Sequence, residues 1–310
     1  MEEAKTIEGV AATTSGVTKA AFLLCFVICV ALTKSLLPIW ALFNTLQILV
    51  HLPLVNVPMP GNATAFLKGL LDIARLEVFN VRPWIKDWLR YPDGLDGLNA
   101  IFNDYGYDSK AAIVNLGVLT GLLFLGVLAL IIAALVDQIS NKVLFAKNNR
   151  THPDLPDKTT ATWAVATQNA FLRFGFEVFL EFFLCALINV VSMGSTGVGS
   201  SIYSCAIILT LLAVSALPLV LFFTGGPDED TEEVNPRYAT TYLGLNKKHS
   251  LNATTYPAYF LWRRIFFALT VVLLAHRPIA QIFLLAVQSV GMLAILTRFV
   301  PFEDTWFNRL

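Results

Sequence analysis

The sequence predicts an all-α fold, a polytopic helical membrane bundle of six to seven transmembrane helices with an amphipathic interfacial segment. Three observations carry this. Hydrophobic residues make up 56% of the 310 and charged residues only 14%, against about 25% charged in an average soluble protein. The charge is also excluded from long blocks: Ala111–Val136, Ser201–Phe223 and Pro278–Thr297 hold no Asp, Glu, Lys or Arg, and about 20 apolar residues suffice to cross roughly 30 Å of hydrocarbon as a helix. Finally, a single soluble core stops growing near roughly 250 to 300 residues and keeps a polar skin, so lipid is the solvent left for these blocks. In lipid the backbone must satisfy its own hydrogen bonds, which makes each block a helix.

Three further crossings follow from weaker patterns. Ser35–Val55 is uncharged, with Pro38 and Pro53 near its ends, positions that suit a helix start and stop. Ala258–Ala275 contains Arg263 and Arg264 in its first two turns, from where long cationic side chains can snorkel to the interface as anchors. Phe171–Ser192 carries Arg173, Glu177 and Glu181 within an aromatic coat that includes Phe174, Phe176, Phe179, Phe182 and Phe183. A seventh candidate, Ala20–Thr33, has only 14 uncharged residues; it is expected as a short first span, although its length also matches a signal-peptide core.

The resulting organisation is a tail at 1–19, two membrane segments at 20–55, an extracytosolic or interfacial segment at 56–110, the bundle at 111–300 and a tail at 301–310. Basic residues set the orientation, because cytosolic connections collect them. Lys142, Lys147, Arg150, Lys158, Arg237, Lys247 and Lys248 fall in 137–169 and 224–257, whereas 56–110 has six basic residues against seven acidic ones. The connections 137–169 and 224–257 are therefore expected in the cytosol with the C-terminus.

The 56–110 connection is longer than ordinary loops, which favours structure of its own. Leu67, Leu70, Leu71, Ala74 and Val78 recur at helical spacing opposite Lys68, Asp72 and Arg75, the pattern of an amphipathic helix. Trp84, Ile85, Trp88 and Leu89 alternate with Arg82, Lys86 and Arg90, and tryptophan beside basic residues suits the headgroup layer. Trp84 and Trp88 are expected as interfacial anchors, in a segment that lies on the membrane or caps the bundle; a ligand-gated lid would use the same pattern.

Chemistry-bearing motifs are few. The net charge of zero, from 22 basic and 22 acidic residues, gives no reason to expect nucleic acid. His51, His152, His249 and His276 make no metal spacing, and Cys25, Cys29, Cys185 and Cys205 all lie in apolar runs, where a thiol acts as a small hydrophobe. Neither a metal nor another cofactor is expected. The acidic run Asp228–Glu233 lacks the alternation and central glycine of a calcium loop and reads as a solvated loop. Gly194–Ser200 lacks the lysine of a phosphate loop and reads as a turn. With no nucleophile or metal set, the chain is not expected to be an enzyme.

The constellation that stands out is Arg173, Glu177 and Glu181, which share one helix face at successive i, i+4 spacing, with Asn189 extending the polar side. Carboxylates inside a span are costly and mark an ion path or an ion pair within the bundle. Both readings stay open on sequence. Gln281 and Gln288 share a face of the last span and are expected as interhelical hydrogen-bonding residues, worth about 0.6–2 kcal/mol each in a membrane. Gly117 and Gly121 form a GxxxG, a pattern of close helix packing.

LLPIWALFNTLQILVHLPLVNV at 36–57 followed by PMPGN, GYDSKAAIVNLG at 106–117, RYATTYLGL at 237–245 and LWRRIFFAL at 261–269 resemble the membrane part of ciliate multi-pass surface proteins, those with cysteine-rich repeat ectodomains. These 310 residues depart from that pattern in holding four cysteines and no cysteine-rich repeat. A tyrosine-containing cytosolic motif followed by a basic helix start is more distantly similar to fungal TRP-like membrane proteins, a resemblance that implies channel-like or transport-like function. The expected function is accordingly channel-like or transport-like, with cations as the species. Its alternative is a non-conducting structural or anchoring subunit of a larger membrane or surface complex. Expected partners are the lipid bilayer and other membrane subunits or further copies of the chain, in the plasma membrane or another cellular membrane.

Overall fold

The computed structural model describes Thr13 and residues 37–74, 82–89, 97–148, 158–225, 236–242, 244–245 and 255–302. The described residues are helical: α1 (Leu37–His51), α2 (Gly61–Ala74), α3 (Arg82–Leu89), α4 (Ala100–Asp104), α5 (Ala112–Leu116), α6 (Val118–Asn148), α7 (Lys158–Val191), α8 (Val198–Gly225), α9 (Tyr256–Leu273) and α10 (Pro278–Phe299), with 3-10 turns at Leu52–Leu54 and Pro236–Tyr242. Among them there is no strand, only an isolated bridge between Leu245 and Phe302.

Four helices contain stretches long and apolar enough to cross a membrane: Val118–Val136, Val165–Val191, Val198–Leu221 and Pro278–Phe299. Two other segments expected to cross form helices that fall short of that length or apolarity. Ser35–Val55 is realised as the 15-residue α1, closed by a 3-10 turn with Pro53 in its first turn, where its missing N–H costs nothing. Ala258–Ala275 is realised as the 18-residue α9, which begins with Pro257 in its first turn. The segment 20–33 lies outside the described residues, as do Val78, Arg90 and the acidic run.

Burial orders the helices. Within the candidate spans, 78% of the apolar window of α7 is enclosed, against 6% for α6 and 11% for α10. The middle helix is α7, which packs against α1, α5, α6, α8, α9 and the Pro236–Tyr242 turn. Peripheral α6 and α10 turn large side chains outward, among them Phe124, Leu125, Ile132, Phe283, Val290 and Leu293. Apolar faces of that extent are stable only against lipid or another chain.

The expected single span Ala111–Val136 is broken. Gly117 adopts φ 48° between α5 and α6, a conformation that favours glycine because it lacks Cβ. The short α5 is consequently buried against α7 and α8, while α6 departs alongside α7. This also corrects the GxxxG reading: Gly117 is the break, and a Cβ on Gly121 would meet nothing within 4 Å. Close approach occurs instead at Gly126, where a Cβ would lie 2.9 Å from the Phe171 ring.

Residues 97–110 and α2 close one end of the bundle. Leu67, Leu70 and Leu71, the predicted apolar stripe, are buried in one cluster with Val50, Leu54, Phe102, Tyr105 and Phe179. The stripe therefore packs on the bundle itself, and α2 lies against α1. On α3, Ile85 is buried beside Val114, while Trp84 and Trp88 stack on each other at 6.0 Å and stand two-thirds exposed. Lys86 and Arg82 both reach Asp108, at 3.4 and 3.7 Å.

Candidate functional site

Arg173, Glu177 and Glu181 follow one another at i, i+4 spacing on α7 and Asn189 extends this polar seam, over sixteen residues or about 24 Å of helix. Glu177, Glu181 and Asn189 are buried, and each of the three carboxyl or amide groups is met by a different part of the chain. The seam is continuous on α7, but it divides into three separate sets of contacts.

The first set is ionic. Arg173 Nη2 lies 2.9 Å from Glu177 Oε1, the i, i+4 pair that the spacing suggested. Arg264 from α9 is also within electrostatic reach of Glu177. Arg264 was expected at the membrane interface, and here the structure departs from that: its side chain is fully buried, donating to Asn44 Oδ1 at 2.5 Å and Gln47 Oε1 at 3.2 Å, with its guanidinium 3.8 Å over the Phe260 ring. Acceptors on α1 supply in the interior what snorkelling would have sought in the headgroups. Arg263, one residue earlier, is half-buried. Three buried atoms of this set, Glu177 Oε2 and Arg264 Nε and Nη1, have no protein hydrogen-bond partner.

The second set surrounds Glu181. His51 Nε2 lies 3.0 Å from Glu181 Oε2, the Tyr107 hydroxyl lies 3.0 Å from the same oxygen, and the hydroxyl is 2.7 Å from His51 Nε2. Cys185, one turn further along α7, donates to Glu181 Oε1 at 3.7 Å. On the other side of the ring, His51 Nδ1 contacts the Gln47 carbonyl oxygen at 2.5 Å. Three elements thus converge: α7 supplies the acid, the last residue of α1 supplies the imidazole, and the 97–110 segment supplies the phenol.

Local sequence explains the placement. Asn44, Gln47 and His51 recur at three- and four-residue spacing, so α1 presents them on one face. Tyr107 follows Gly106, whose φ of 81° turns the chain inward, and its N–H donates to Phe102 O at 2.8 Å. Arg82 holds the same turn by donating to Gly106 O at 2.5 Å.

The third set ties the seam to the covered end. Asn189 donates to Lys110 O at 2.9 Å and to Ser200 Oγ at 2.8 Å. Gln281 is buried apart from the seam, accepting from Asn56 N at 3.0 Å and donating to Val271 O at 3.1 Å. Gln288 donates to Arg263 O. Both glutamines bridge neighbouring elements.

Sequence reasoning missed His51, Tyr107, Asn44, Gln47 and Cys185 as members of the site. The polar spacing on α1 was a usable signal; Tyr107 had none beyond its glycine. Among the described residues, no group of His, Cys, Asp and Glu side chains could hold a metal ion. The geometry brings a carboxyl, an imidazole and a phenol within hydrogen-bond distance of one another.

Fold and site define the class: a helical, multi-pass membrane protein whose central helix carries buried ionisable residues. Compared with family models, with curated proteins and with solved structures, the chain matches none.

Proposed function

We propose that the chain is a transport-like membrane protein in which the α7 seam carries a cation through the bundle. The observation that supports this is the enclosure of Glu177 and Glu181 on the most buried helix, each with polar partners from other elements. Buried ion pairs often add less stability than apolar residues of the same volume, and carboxylates deep in a span by default indicate passage of charge. The distant resemblance to fungal TRP-like proteins implies the same class. In this reading α1 and α9 cross with the four long helices, giving six crossings, with 20–33 as a seventh. The connections 137–169 and 224–257 face the cytosol.

A second reading is favoured by a separate observation. The outward apolar faces of α6 and α10 are broad enough to seat other membrane subunits or further copies of the chain, as a non-conducting anchoring subunit would need.

Reconstitution in lipid vesicles separates the two. Transport predicts cation flux under an imposed gradient, reduced or altered in selectivity by Glu181→Gln, with the melting temperature little changed. The anchoring reading predicts no flux from either protein and a loss of thermal stability in the variant.

A further inference from the structure

The geometry around Glu181 points to a bound proton, shared between Glu181 Oε2 and His51 Nε2, and we propose that this pair is a proton-binding site and the proton the cation carried. The inference rests on the transport reading for the second clause only; the first stands on hydrogen-bond stoichiometry.

A backbone carbonyl can only accept, so the His51 Nδ1 contact with Gln47 O fixes the hydrogen on Nδ1. In a neutral ring Nε2 is then an acceptor. An ionised Glu181 is acceptor-only as well, yet Nε2 and Oε2 lie 3.0 Å apart in a buried site. Tyr107 can donate its one hydrogen to Nε2 or to Oε2, at 2.7 or 3.0 Å, which leaves the direct nitrogen-to-oxygen contact without a hydrogen. One added proton resolves it. Placed on Nε2 it gives imidazolium and carboxylate; placed on Oε2 it gives imidazole and carboxylic acid. Either state makes the 3.0 Å contact a hydrogen bond, and transfer between them moves a proton along that line and breaks no other bond.

Around Glu181, α1 contributes His51, the 97–110 segment Tyr107 and α7 Cys185; the ionic set of Glu177 with Arg173 and Arg264 begins one turn earlier on α7. A sodium or potassium ion would need several oxygen ligands around it, and the Glu181 oxygen facing His51 is already within hydrogen-bond distance of a nitrogen and a phenol.

Infrared difference spectroscopy of the full chain in lipid vesicles, cycled in pH, tests the site without relying on flux. The expected spectrum contains a carboxylic-acid carbonyl band together with imidazole bands. Glu181→Gln should lose the carbonyl band, and His51→Gln should lose the imidazole bands and move the carbonyl midpoint by about one pH unit or more, a change of about 1.4 kcal/mol. Should Glu181→Gln fail to fold, Glu181→Asp serves, because an aspartic carbonyl absorbs at a displaced frequency. A wild-type spectrum without these bands, or one left unaltered by the His51 and Glu181 variants, overturns the proposal. Proton flux is read separately. Titrating bands without flux would keep the proton site and remove the transport reading; flux of another cation without titrating bands would do the reverse.

Discussion

Arg264 on α9 donates to Asn44 on α1 at 2.5 Å, joining two helices 220 residues apart in the chain. Its charge is wholly enclosed and within electrostatic reach of Glu177, so deleting it would remove one of the two cations, Arg173 and Arg264, that act on that carboxylate. Arg264→Leu is expected to destabilise strongly, toward the about 3–5 kcal/mol typical of breaking a buried pair. Arg264→Lys should fall between, since an ammonium keeps the charge but cannot reproduce the guanidinium fork. Asn44→Ala removes one acceptor and should cost only about 0.6–2 kcal/mol. Thermal unfolding in detergent measures all three, and a leucine variant as stable as wild type would show that the buried charge is not needed for the fold.

Gly126 and Phe171 fix the approach of α6 to α7. A methyl at Gly126 would stand 2.9 Å from the Phe171 ring, closer than carbon atoms tolerate without movement. Gly126→Val should cost about 1–3 kcal/mol by overpacking, and adding Phe171→Ala should recover part of the loss, because the second change vacates the space the first one fills. Purely additive effects of the two substitutions would mean the helices do not meet there.

The long apolar helices were legible because lipid imposes a length and an absence of charge, both of which are local properties of sequence. Their interruptions were less so. Gly117 reads as one more small residue in an uncharged run, and only its φ of 48° reveals that Asn115 and its neighbours form a separate buried turn of helix. Half of the site was legible for the same reason: Arg173, Glu177 and Glu181 share a helix, and i, i+4 spacing is written in the chain. Their partners are not. His51 and Tyr107 lie 130 and 74 residues from Glu181, and contact over such separations depends on how helices cross. Arg264 was misread because a basic residue near a helix start has two ways to satisfy its charge, in headgroups or on acceptors inside, and periodicity in its own helix does not distinguish them.

Orientation is testable through the asparagine acceptor motifs. Asn62 in NAT is exposed at the start of α2, on the side opposite the connections 137–169 and 224–257 in the expected topology. Asn62 should be glycosylated in microsomes, whereas Asn149 in NRT and Asn252 in NAT, both outside the described residues, should not. Endoglycosidase digestion of single Asn→Gln variants reads the result. Modification at Asn149 or Asn252 would invert the orientation, and with it the side from which the covered end of the seam is reached.

Gly97 and Gly106 hold Tyr107 in place, and their loss should expose it. A Cβ on Gly97 would sit 2.0 Å from the Tyr107 carbonyl oxygen and 2.4 Å from Asn103 Oδ1; the first of these is backbone, which cannot rotate away. Gly106 occupies φ 81°, where a side chain costs roughly 1–2 kcal/mol. Gly97→Ala must therefore pry residue 97 and Tyr107 apart within the 97–110 segment and disturb the seating of Tyr107, while Gly106→Ala strains the turn and can leave it seated. Tyr107 is fully buried in the native packing, so its ring should resist nitration by tetranitromethane, read by mass spectrometry of the peptide. Nitration should rise clearly in Gly97→Ala and less in Gly106→Ala, with the melting temperature falling in the same order. Tyr107→Phe keeps the ring and its contact with Phe102, at 5.9 Å between centroids, and removes only the hydroxyl. Its melting temperature should drop less than that of Gly97→Ala, because packing is retained and only hydrogen bonds to Glu181 and His51 are lost. Equal protection of Tyr107 in wild type and Gly97→Ala would refute the proposed seating of this segment over the central helix.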